Sequence, residues 1–543
     1  MYISKVKIKN FKCYKKFEIE LNPELNIIVG DNESGKSTLL EAINLALTGY
    51  ILGKNIKNEL SQYMFNLETV KEYIDSFHTT PIAPPEISIE IFFGESNFKS
   101  FNGDYNSDNS SDAEGILFQI KFDDEYIAEY ESYINNSDVK SVPIEYYEVR
   151  WTSFARESIT TKSIPFNSIL IDSSDYKYKN GEDAYLSRII KNKLSTDEIV
   201  NISQATRKLK EDFSDDKSMK LINEKLQGQT PLLKDKKLEI TVDFGTKNEW
   251  KSLLMVNLDD VPFNYIGKGA QSVVKTNLSL SNENNTEKPS VILLEEPENH
   301  LSHSNLNILL GYILEENSMT NQLLITTHSS FVANKLGLEK IILLKNQRLI
   351  KFKDLQKDTY DYFRKIAGYD TLRFILCKKA ILCEGDSDEL VIQKSYMLLN
   401  QGKLPIQNGI EVISVGTSFL RFLEIVSQID VKVCVVTDND GDLQALENKY
   451  SQYLNKEPNI KICYSKNVKK GSIPSFNYNT LEPELYYANG LEKTSKILNK
   501  QFENEENLLE YMHNNKTECA LKFFDYKDDF EIPEYIKEAI CDE

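Results

Sequence analysis

The sequence lacks three features that would assign it to a common class of protein. Its seven cysteines are scattered without CxxC spacing, so we expect neither a disulfide framework nor a zinc ribbon. No uncharged stretch approaches the roughly 18 residues that a membrane-spanning helix needs. Residues 1–20 alternate lysine with apolar residues and do not resemble a signal peptide. We therefore expect a cytoplasmic protein that engages no membrane.

Basic residues are also in short supply, because 64 lysines and arginines face 83 aspartates and glutamates, for a net charge of −19. This balance excludes a protein that coats nucleic acid by bulk attraction, which needs clustered positive charge. Any contact with DNA must therefore be local. The candidate stretches are residues 5–16, 207–210 and 466–470, although such stretches are more often ordinary solvated surface.

The chain is long and apolar enough for more than one core, with 543 residues of which 41% are hydrophobic. Period-two patterns predict strands at 3–8 and 17–21, and a short apolar strand is expected at 25–29. Apolar strands recur between 290 and 344. Three more are predicted between 380 and 437, and a helix separates the first two of these. Strands linked by helices imply parallel sheets. The expected fold class is α/β, with two domains and an insertion.

Two stretches depart from this α/β pattern. Residues 94–113 are dominated by Asn, Ser, Asp and Gly, which predicts a mobile surface loop. Residues 181–236 are highly charged and have helical spacing, which predicts an inserted helical arm with a dimer contact as its suggested role. A further strand is expected at 237–242.

The most specific short motif is GxxxxGKS at residues 30–37, which follows a predicted strand and begins a predicted helix that ends before Gly49. Glycines at 30 and 35 let backbone N–H groups face phosphates, and the start of the helix adds a partial positive charge. We expect Lys36 to hold the β and γ phosphates of ATP and Ser37 to hold Mg²⁺. The expected ATP-binding residues of this loop are Gly30, Asn32, Gly35, Lys36, Ser37 and Thr38.

A second group of candidates surrounds the apolar strand predicted at 290–294. Glu295 and Glu296 follow this strand; we expect Glu295 to hold Mg²⁺ and Glu296 to orient the attacking water. Upstream, a turn with two glycines precedes a helix, and downstream His328 follows the strand predicted at 321–326. Either feature alone is commonly structural.

The order of these parts resembles an ABC-type ATPase head of the SMC-like class. In that class the segment 267–272 is a signature that completes the ATP site of another head, and His328 is a switch residue near the γ-phosphate. The resemblance therefore implies that Gly267, Gly269 and Gln271 bind nucleotide, and that the protein forms a homodimer. Glu295 stands where the Walker B motif, the apolar strand that ends in acids, usually has Asp.

The second half of the chain carries acids that follow apolar strands. Glu384 ends one strand, Asp388 lies one turn into the next helix, and Asp438 and Asp440 follow another strand. Two Mg²⁺ ions about 3.5 to 4 Å apart need carboxylates that converge from different strand ends. Glu-Gly-x-x-Asp followed by Asp-x-Asp resembles the Toprim domain of topoisomerases, primases and a set of nucleases. A third acidic position is Glu482. Two glutamates that flank a proline, as at 482–484, are by themselves typical of an ordinary surface turn.

An ATPase head followed by Toprim resembles the overcoming-lysogenization-defect (OLD) family of nucleases, which includes the nuclease subunit of the Gabija antiphage system and retron-associated effectors. The resemblance implies an ATPase domain at 1–370 and a Toprim nuclease domain at 375–543. It also implies that Glu482 joins the metal ligands Glu384, Asp388, Asp438 and Asp440. A C-terminal lysine would aid the transition state, with Lys516 as the preferred match and Lys522 as the alternative.

Two functions follow from this resemblance. The first is an ATP-regulated DNA endonuclease or nickase, dependent on Mg²⁺ or Mn²⁺, that acts in antiphage defence as a dimer, with a partner protein or a retron RNA or DNA as a further partner. The second is an ATP-switched clamp or sensor that recruits a separate effector and uses its Toprim acids only structurally. A topoisomerase or primase fits less well, because only about 60 residues follow Glu484, which is marginal for an additional domain.

Overall fold

A computed structural model describes residues 1–51, 54–95, 98–136, 139–161, 163–171, 194–226, 240, 256–280, 289–316, 321–337, 340–345, 348–351, 355–365, 370–429, 431–454 and 456–541. The chain divides into two compact units, Met1–Thr327 and His328–Glu543. The domain boundaries expected at 370 and 375 stay predictions. Among the described residues, no helix combines the length and apolar character that crossing a bilayer requires.

The first unit contains fourteen of the described strands and eight of the described α-helices. Its strands are β1 Tyr2–Phe11, β2 Tyr14–Glu20, β3 Leu25–Gly30, β4 Tyr50–Ile51, β5 Lys54–Asn55, β6 Ile87–Gly94, β7 Asn102–Gly103, β8 Ala113–Phe122, β9 Tyr147–Ser153, β10 Asn167–Ile171, β11 Asn257–Leu258, β12 Val261–Pro262, β13 Ser290–Glu295 and β14 Asn321–Thr327. Its helices are α1 Lys36–Thr48, α2 Ile56–Glu59, α3 Leu67–Ser76, α4 Ile127–Asn136, α5 Thr196–Ser214, α6 Lys217–Leu226, α7 Lys268–Leu280 and α8 His303–Glu316.

These strands form two main sheets. One is antiparallel in the order β2-β1-β6-β8, and both β7 and β9 pair with β8. The other has the parallel order β10-β13-β14-β3. The side chain of Gln322 on β14 joins the two sheets, because it accepts a hydrogen bond from the Ile3 N–H and donates one to the Ile3 carbonyl, both at 2.8 Å. Helix α1 buries Leu39, Leu40 and Ile43 as its periodicity predicts.

The predicted strands at the start of the chain are confirmed as β1, β2 and β3. The predicted end of the first helix is also confirmed, because Gly49 caps α1 in the left-handed conformation at φ 70°. The strand expected at 237–242 lies outside the described residues except for residue 240. Likewise, residues 181–193 and 227–236 of the expected arm lie outside them, while α5 and α6 occupy the described part. The dimer contact of this arm stays a prediction.

The segment at 98–113 has anchors that its composition does not predict. Ser107 donates from its backbone N–H and its hydroxyl to the carboxylate of Glu90. Asp108 forms ion pairs with both Lys5 and Lys7. The candidate DNA-binding stretch at 5–16 is therefore largely neutralised within this unit, because Lys15 also pairs with Glu72 at 2.5 Å.

The second unit contains the remaining described strands and helices. Its strands are β15 Ile341–Lys345, β16 Arg348–Lys351, β17 Lys379–Cys383, β18 Ile410–Ser414, β19 Lys432–Val436 and β20 Ile460–Cys463. Its helices are α9 Ser330–Leu336, α10 Lys357–Lys365, α11 Asp370–Leu376, α12 Asp386–Leu399, α13 Phe419–Val426, α14 Leu443–Lys449, α15 Leu481–Leu498, α16 Glu505–Asn514, α17 Lys516–Asp525 and α18 Glu534–Ile540.

A four-stranded parallel sheet of order β18-β17-β19-β20 forms the centre of this unit. Its strands are apolar runs that helices cover, as expected for a parallel sheet. Helices α12, α17 and α18 pack together around a buried core that includes Ile381, Val436, Phe523 and Ile536. Because all four strands run the same way, the residues that follow them meet at one edge of the sheet.

Candidate nucleotide and metal sites

The nucleotide loop, residues 30–37, joins β3 to α1 as predicted. Gly35 has a φ of 106°, and a Cβ atom there would lie 2.6 Å from the hydroxyl oxygen of Tyr14. That hydroxyl donates a hydrogen bond to the Gly35 carbonyl at 3.0 Å. A side chain at position 35 would therefore be strained and would also displace Tyr14. Sequence patterns do not indicate Tyr14, because it lies on β2, distant in the chain.

Lys36 is buried beneath the loop. Its Nζ donates to the carbonyl oxygens of Gly30 and Asp31, each at 2.9 Å. Burial lowers the pKa of Lys36, while nearby negative charges oppose that change. These charges belong to Glu296, Asp31, Glu295 and Glu298. The fold therefore brings the lysine of the loop close to the acids that follow β13.

The acids after β13 are held in defined orientations. Glu296 adopts a φ of 43°, and its Oε2 accepts a hydrogen bond from Asn299 at 2.8 Å. Glu298 accepts a hydrogen bond from the hydroxyl of Thr327 at 2.7 Å. Glu298 was not assigned a role from the sequence, although it shares the acidic run after the strand. This arrangement places carboxylates beside Lys36, where a phosphate-bound cation needs oxygen ligands.

The residues of the loop also fit a nucleotide. Ser37 and Asn32 are exposed and Thr38 is partly exposed, so their side chains are accessible. The hydroxyl of Ser34 is buried and has no hydrogen-bond partner among the described residues. A buried polar group without a partner is costly. A phosphate oxygen would be a suitable acceptor, so the donor set agrees with ATP binding.

In the segment 267–272, the predicted residues shape their own turn. The Gln271 side chain donates to the carbonyls of Phe263, at 2.8 Å, and Ile266, at 3.2 Å. A Cβ atom on Gly269 would lie 2.5 Å from the His300 carbonyl oxygen, whereas one on Gly267 would meet nothing within 4 Å. The nucleotide contacts of Gly267, Gly269 and Gln271 stay predictions. His328 follows β14, and its role as a switch also stays a prediction.

The acid site, defined as Glu384, Asp388, Asp438, Asp440 and Glu482, lies where the parallel strands of the second unit end. Glu384 follows β17 and accepts hydrogen bonds from the Thr437 hydroxyl at 2.6 Å and from the Asp438 N–H at 3.2 Å. Asp388 accepts a hydrogen bond from the Gly385 N–H at 3.1 Å. The structure therefore joins acids that are 54 positions apart in the sequence, as the strand pattern predicts.

Negative charges in this site influence one another. Burial, followed by the charges of Glu384 and Glu482, raises the pKa of Asp388 to about 7. Burial also raises the pKa of Asp438 well above its ordinary value, with contributions from Asp388, Glu384, Glu482 and Asp440. Partly buried like charges disfavour ionisation unless a cation neutralises them. The site is thus electrostatically suited to a divalent metal.

Two predicted residues from the C-terminal region lie at the same site. Glu482 is buried at the start of α15, accepts a hydrogen bond from the Thr480 hydroxyl at 3.1 Å, and pairs with Lys516 at 3.3 Å. Lys516, at the start of α17, keeps 44% of its side chain exposed. The structure therefore brings together the pair that the family resemblance implied. Lys522 lies almost two turns further along α17 and makes no such pair among the described residues.

The acids do not surround a common point as they stand. Among the described residues, no group of three His, Cys, Asp or Glu side chains is placed to hold a metal ion. The donor chemistry nevertheless fits, because carboxylate oxygens are the ligands that Mg²⁺ and Mn²⁺ prefer. A cation would need rotation of side chains such as Asp440, whose carboxylate now accepts a hydrogen bond from Asn477 at 2.7 Å. The metal-binding roles of all five acids stay predictions.

Three residues around the acid site were not predicted as members of it. Thr437 bonds Glu384, and buried Asn439 bonds the backbone of the loop after β20. The buried hydroxyl of Tyr535, on α18, has no hydrogen-bond partner among the described residues. Burial and the charge of Asp438 raise the pKa of Tyr535 further above neutrality. Thr437 and Asn439 flank predicted acids in sequence, whereas Tyr535 carries no sequence signal.

Comparison with known protein families finds two that match this chain. The family described as AAA ATPase domain matches residues 1–333, which is more than half of the sequence. The chain belongs to the AAA ATPase domain family. A second family, described as overcoming lysogenization defect protein-like TOPRIM domain, matches residues 375–440 of this ATPase. The predictions of an α/β ATPase head followed by an OLD-type Toprim domain are therefore confirmed.

Individual relatives of this ATPase–Toprim chain match parts of it. It is 24% identical over 358 residues to an ATP/GTP phosphatase of Helicobacter pylori, covering 60% of this chain and 85% of the relative. It is 32% identical over 92 residues to the DNA replication and repair protein RecF of Clostridium kluyveri, covering 17% of this chain and 24% of RecF. A 46-residue match to structural maintenance of chromosomes protein 6 of Saccharomyces cerevisiae is 54% identical, but spans 8% of this chain and 4% of that protein.

Two solved structures with similarity to the ATPase–Toprim chain differ in how much of it they cover. The recombination mediator protein RecF with ATP is 14% identical, covers 65% of this chain and 99% of that chain, and gives a TM-score of 0.34. The C-terminal region of the Xanthomonas campestris pv. campestris OLD protein is 19% identical, covers 30% of this chain and 90% of that chain, and gives a TM-score of 0.23.

Proposed function

We propose that the chain is an ATP-regulated DNA endonuclease or nickase that depends on Mg²⁺ or Mn²⁺ and acts in antiphage defence. The observation that carries this proposal is the gathering of Glu384, Asp388, Asp438 and Glu482 at one sheet edge, where burial, with the charges of Glu384 and Glu482, raises the pKa of Asp388 to about 7. Such a cluster suits chemistry that uses bound divalent cations. The OLD-like Toprim match at 375–440 includes three of these four acids and supports a nuclease.

In this proposal each residue has a defined task. Glu384, Asp388, Asp438, Asp440 and Glu482 hold the cations. Divalent cations held there would activate water and offset negative charge on the scissile phosphate. Lys516, paired with Glu482 at 3.3 Å, donates to the phosphate as negative charge develops there. Thr437 and the Asp438 N–H hold the Glu384 carboxylate in place through two hydrogen bonds.

ATP regulation is proposed from the nucleotide loop of the first unit. Lys36 would bind the β and γ phosphates, Glu295 and Ser37 would hold the Mg²⁺, and Glu296 would orient the attacking water. Gly267, Gly269 and Gln271 would contact the nucleotide of a second copy, which makes the functional form a homodimer. A defence-system partner protein, or a retron RNA or DNA, is proposed as a further partner.

Plasmid cleavage tests the nuclease. We expect the wild-type chain to nick or linearise supercoiled plasmid in Mg²⁺ or Mn²⁺, and Asp438→Asn to lower the rate at least about 100-fold, because a metal ligand is lost. Glu457→Gln is the matched control, since Glu457 is an exposed acid of the same unit. Equal cleavage by wild type and Asp438→Asn would refute the proposal.

One observation favours the second function, an ATP-switched DNA clamp that recruits an effector. Glu384, Asp388 and Asp440 each accept a hydrogen bond from within their own unit, as acids with a structural role would. The two functions differ in a phage-protection assay with the double substitution Asp438→Asn, Asp440→Asn. Protection that survives this change and is lost in Lys36→Ala supports the clamp, whereas loss in both variants supports the nuclease.

A further inference from the structure

The loop between β20 and α15, residues 465–479, is tied to the acid site by asparagine side chains. Asn439, between Asp438 and Asp440, donates to the carbonyls of Ser465 at 2.6 Å and Asn467 at 3.2 Å. Asn439 is only 2% exposed, so these bonds are shielded from water. One end of the loop is therefore fixed to the turn that carries two of the acids.

The other end of the loop is fixed in the same way. Asn477 donates to the carboxylate of Asp440 at 2.7 Å. Asn479 accepts from the Lys469 N–H at 2.7 Å and donates to the Lys469 carbonyl at 3.0 Å. Within the loop, the Ile473 N–H donates to the Tyr478 hydroxyl at 3.0 Å. The loop is thus a built element whose position follows that of the acid site.

The lysines of this loop divide into two kinds. Lys469 pairs with Glu484 at 2.9 Å and lies 4.1 Å from the centre of the Tyr487 ring. Lys466 and Lys470 are exposed and form no ion pair with any described residue. They differ in this from Lys5, Lys7 and Lys15, which are paired with acids. Two uncommitted positive charges therefore lie on an element bonded to a strongly acidic site.

A polyanion approaching the acid site meets repulsion from its carboxylates, and the chain as a whole carries a charge of −19. Salt screens charges that are more than roughly 10 Å apart, so only positive charges close to the site can offset this repulsion. Lysine is a compact point charge that binds phosphate without fixed geometry. Exposed lysines on a loop that is hydrogen-bonded to the turn carrying Asp438 and Asp440 can contact phosphates of a strand that enters the site.

We propose that Lys466 and Lys470 bind backbone phosphates of the DNA strand and hold it across the acid site. This inference rests on the proposed nuclease function and adds the surface that receives its substrate. Asn439, Asn477 and Asn479 set the position of that surface relative to the acids. Recognition by phosphate contact is independent of base sequence.

The test is the salt dependence of DNA binding, measured by fluorescence anisotropy on the full chain with Mg²⁺ in the Asp438→Asn background. We expect Lys466→Gln, Lys470→Gln to reduce the slope of log K against log salt by about 1.4 for single strands and about 1.8 for duplex, equally on unrelated sequences, because two phosphate contacts are lost. The matched control is Lys403→Gln, Lys527→Gln. Both control lysines are exposed and follow the far ends of α12 and α17, helices that begin at the acid site.

A second readout uses the cleaving wild-type background. There the loop variant should raise KM with little change in kcat, because it removes binding and leaves the acids intact. An unchanged salt slope in the loop variant overturns the inference even if plasmid cleavage by wild type stands. Cleavage that persists in Asp438→Asn instead refutes the proposed function. Absence of DNA binding in all variants refutes both.

Discussion

In the nucleotide loop one buried cation, Lys36, lies among backbone carbonyls and acidic side chains, whereas in the acid site several carboxylates lie beside one another. Lys36 has two carbonyl acceptors at 2.9 Å, so its charge is satisfied by the chain itself. Asp388 accepts a hydrogen bond from the Gly385 N–H, and burial, with the charges of Glu384 and Glu482, raises its pKa to about 7. The difference teaches that the first site is organised before ligand binds, while the second gains most from a cation.

The largest effect is expected at the nucleotide loop. Lys36→Ala should weaken ATP binding about 1000-fold, or about 4 kcal/mol, because two charge-assisted phosphate contacts are lost. Isothermal titration with ATP and Mg²⁺ measures it. Lys71→Ala, which changes an exposed helix lysine of the same unit, should bind ATP normally. Near-normal ATP affinity in Lys36→Ala would show that this lysine does not contact the nucleotide.

A smaller effect, a gain in stability, is expected at the acid site without metal. Asp388→Asn should stabilise the metal-free chain by about 2 kcal/mol at pH 8, because it removes a charge that burial and the neighbouring acids disfavour and keeps an acceptor for the Gly385 N–H. Thermal unfolding in EDTA measures it. Asp386→Asn, an exposed acid in the same helical turn, is the control.

The same site predicts a pH dependence. A carboxyl with a folded-state pKa of about 7 keeps its proton while the unfolded chain, with an ordinary pKa of 3.8, releases its own. Stability of the metal-free chain should therefore fall as pH rises from about 4 to 7, and Asp388→Asn should flatten that fall. Saturating Mn²⁺ should raise the unfolding midpoint of wild type more than that of Asp388→Asn. Equal slopes in the two proteins would contradict the account of repelling charges.

Two glycines of the segment 267–272 test how much close packing near the expected nucleotide contacts adds to stability. Gly269→Ala should destabilise the chain by about 1 to 2 kcal/mol, since its Cβ would lie 2.5 Å from the His300 carbonyl oxygen. Gly267→Ala is the matched control, because nothing lies within 4 Å of its Cβ position. Chemical denaturation measures both. Similar unfolding midpoints for the two variants would show that the close contact does not limit stability.

The smallest effect is expected from the hydroxyl that orients Glu384. Thr437→Val removes a 2.6 Å hydrogen bond to this carboxylate and should lower plasmid cleavage about 10-fold, equivalent to about 1.4 kcal/mol. Thr437→Ser keeps the hydroxyl and should retain cleavage. The Mg²⁺ concentration for half-maximal rate should rise in the valine variant alone. If serine and valine behave alike, the hydrogen bond has no part in positioning Glu384.

Much of the fold was predictable because local patterns report on local structure. Period-two alternation at 3–8 indicated β1, and Gly49 ended α1 as predicted. Apolar strands at 380 and 431 predicted a parallel sheet, and a parallel sheet places Glu384 and Asp438 at one edge. The anchors of residues 98–113 were not predictable, because Glu90 and the lysines of β1 reach that segment only through sheet pairing.

Part of each site was likewise invisible in the sequence. Tyr14 supports Gly35 from a different strand, and Tyr535 reaches the acid site from the last described helix. Neither residue belongs to a short motif, and a tyrosine in an amphipathic helix is typical of an ordinary position in the buried core. Asn439 could be suspected from its place between two aspartates. Its bonds to the loop after β20 depend on how β19 and β20 pair.

The amino-acid order by itself determined the glycine loop ahead of α1 and the acids at strand ends, which follow from short-range rules of backbone geometry, strand periodicity and helix starts. The succession of an ATPase by a Toprim domain was indicated by the resemblance of these motifs, in their order, to known families. Only the tertiary structure decided which charges are neutralised, pairing Lys5 and Lys7 with Asp108 and Lys516 with Glu482 while leaving Lys466 and Lys470 exposed. The physical reason is that Coulomb energy depends on distance in space and on local solvation, and chain separation reports neither.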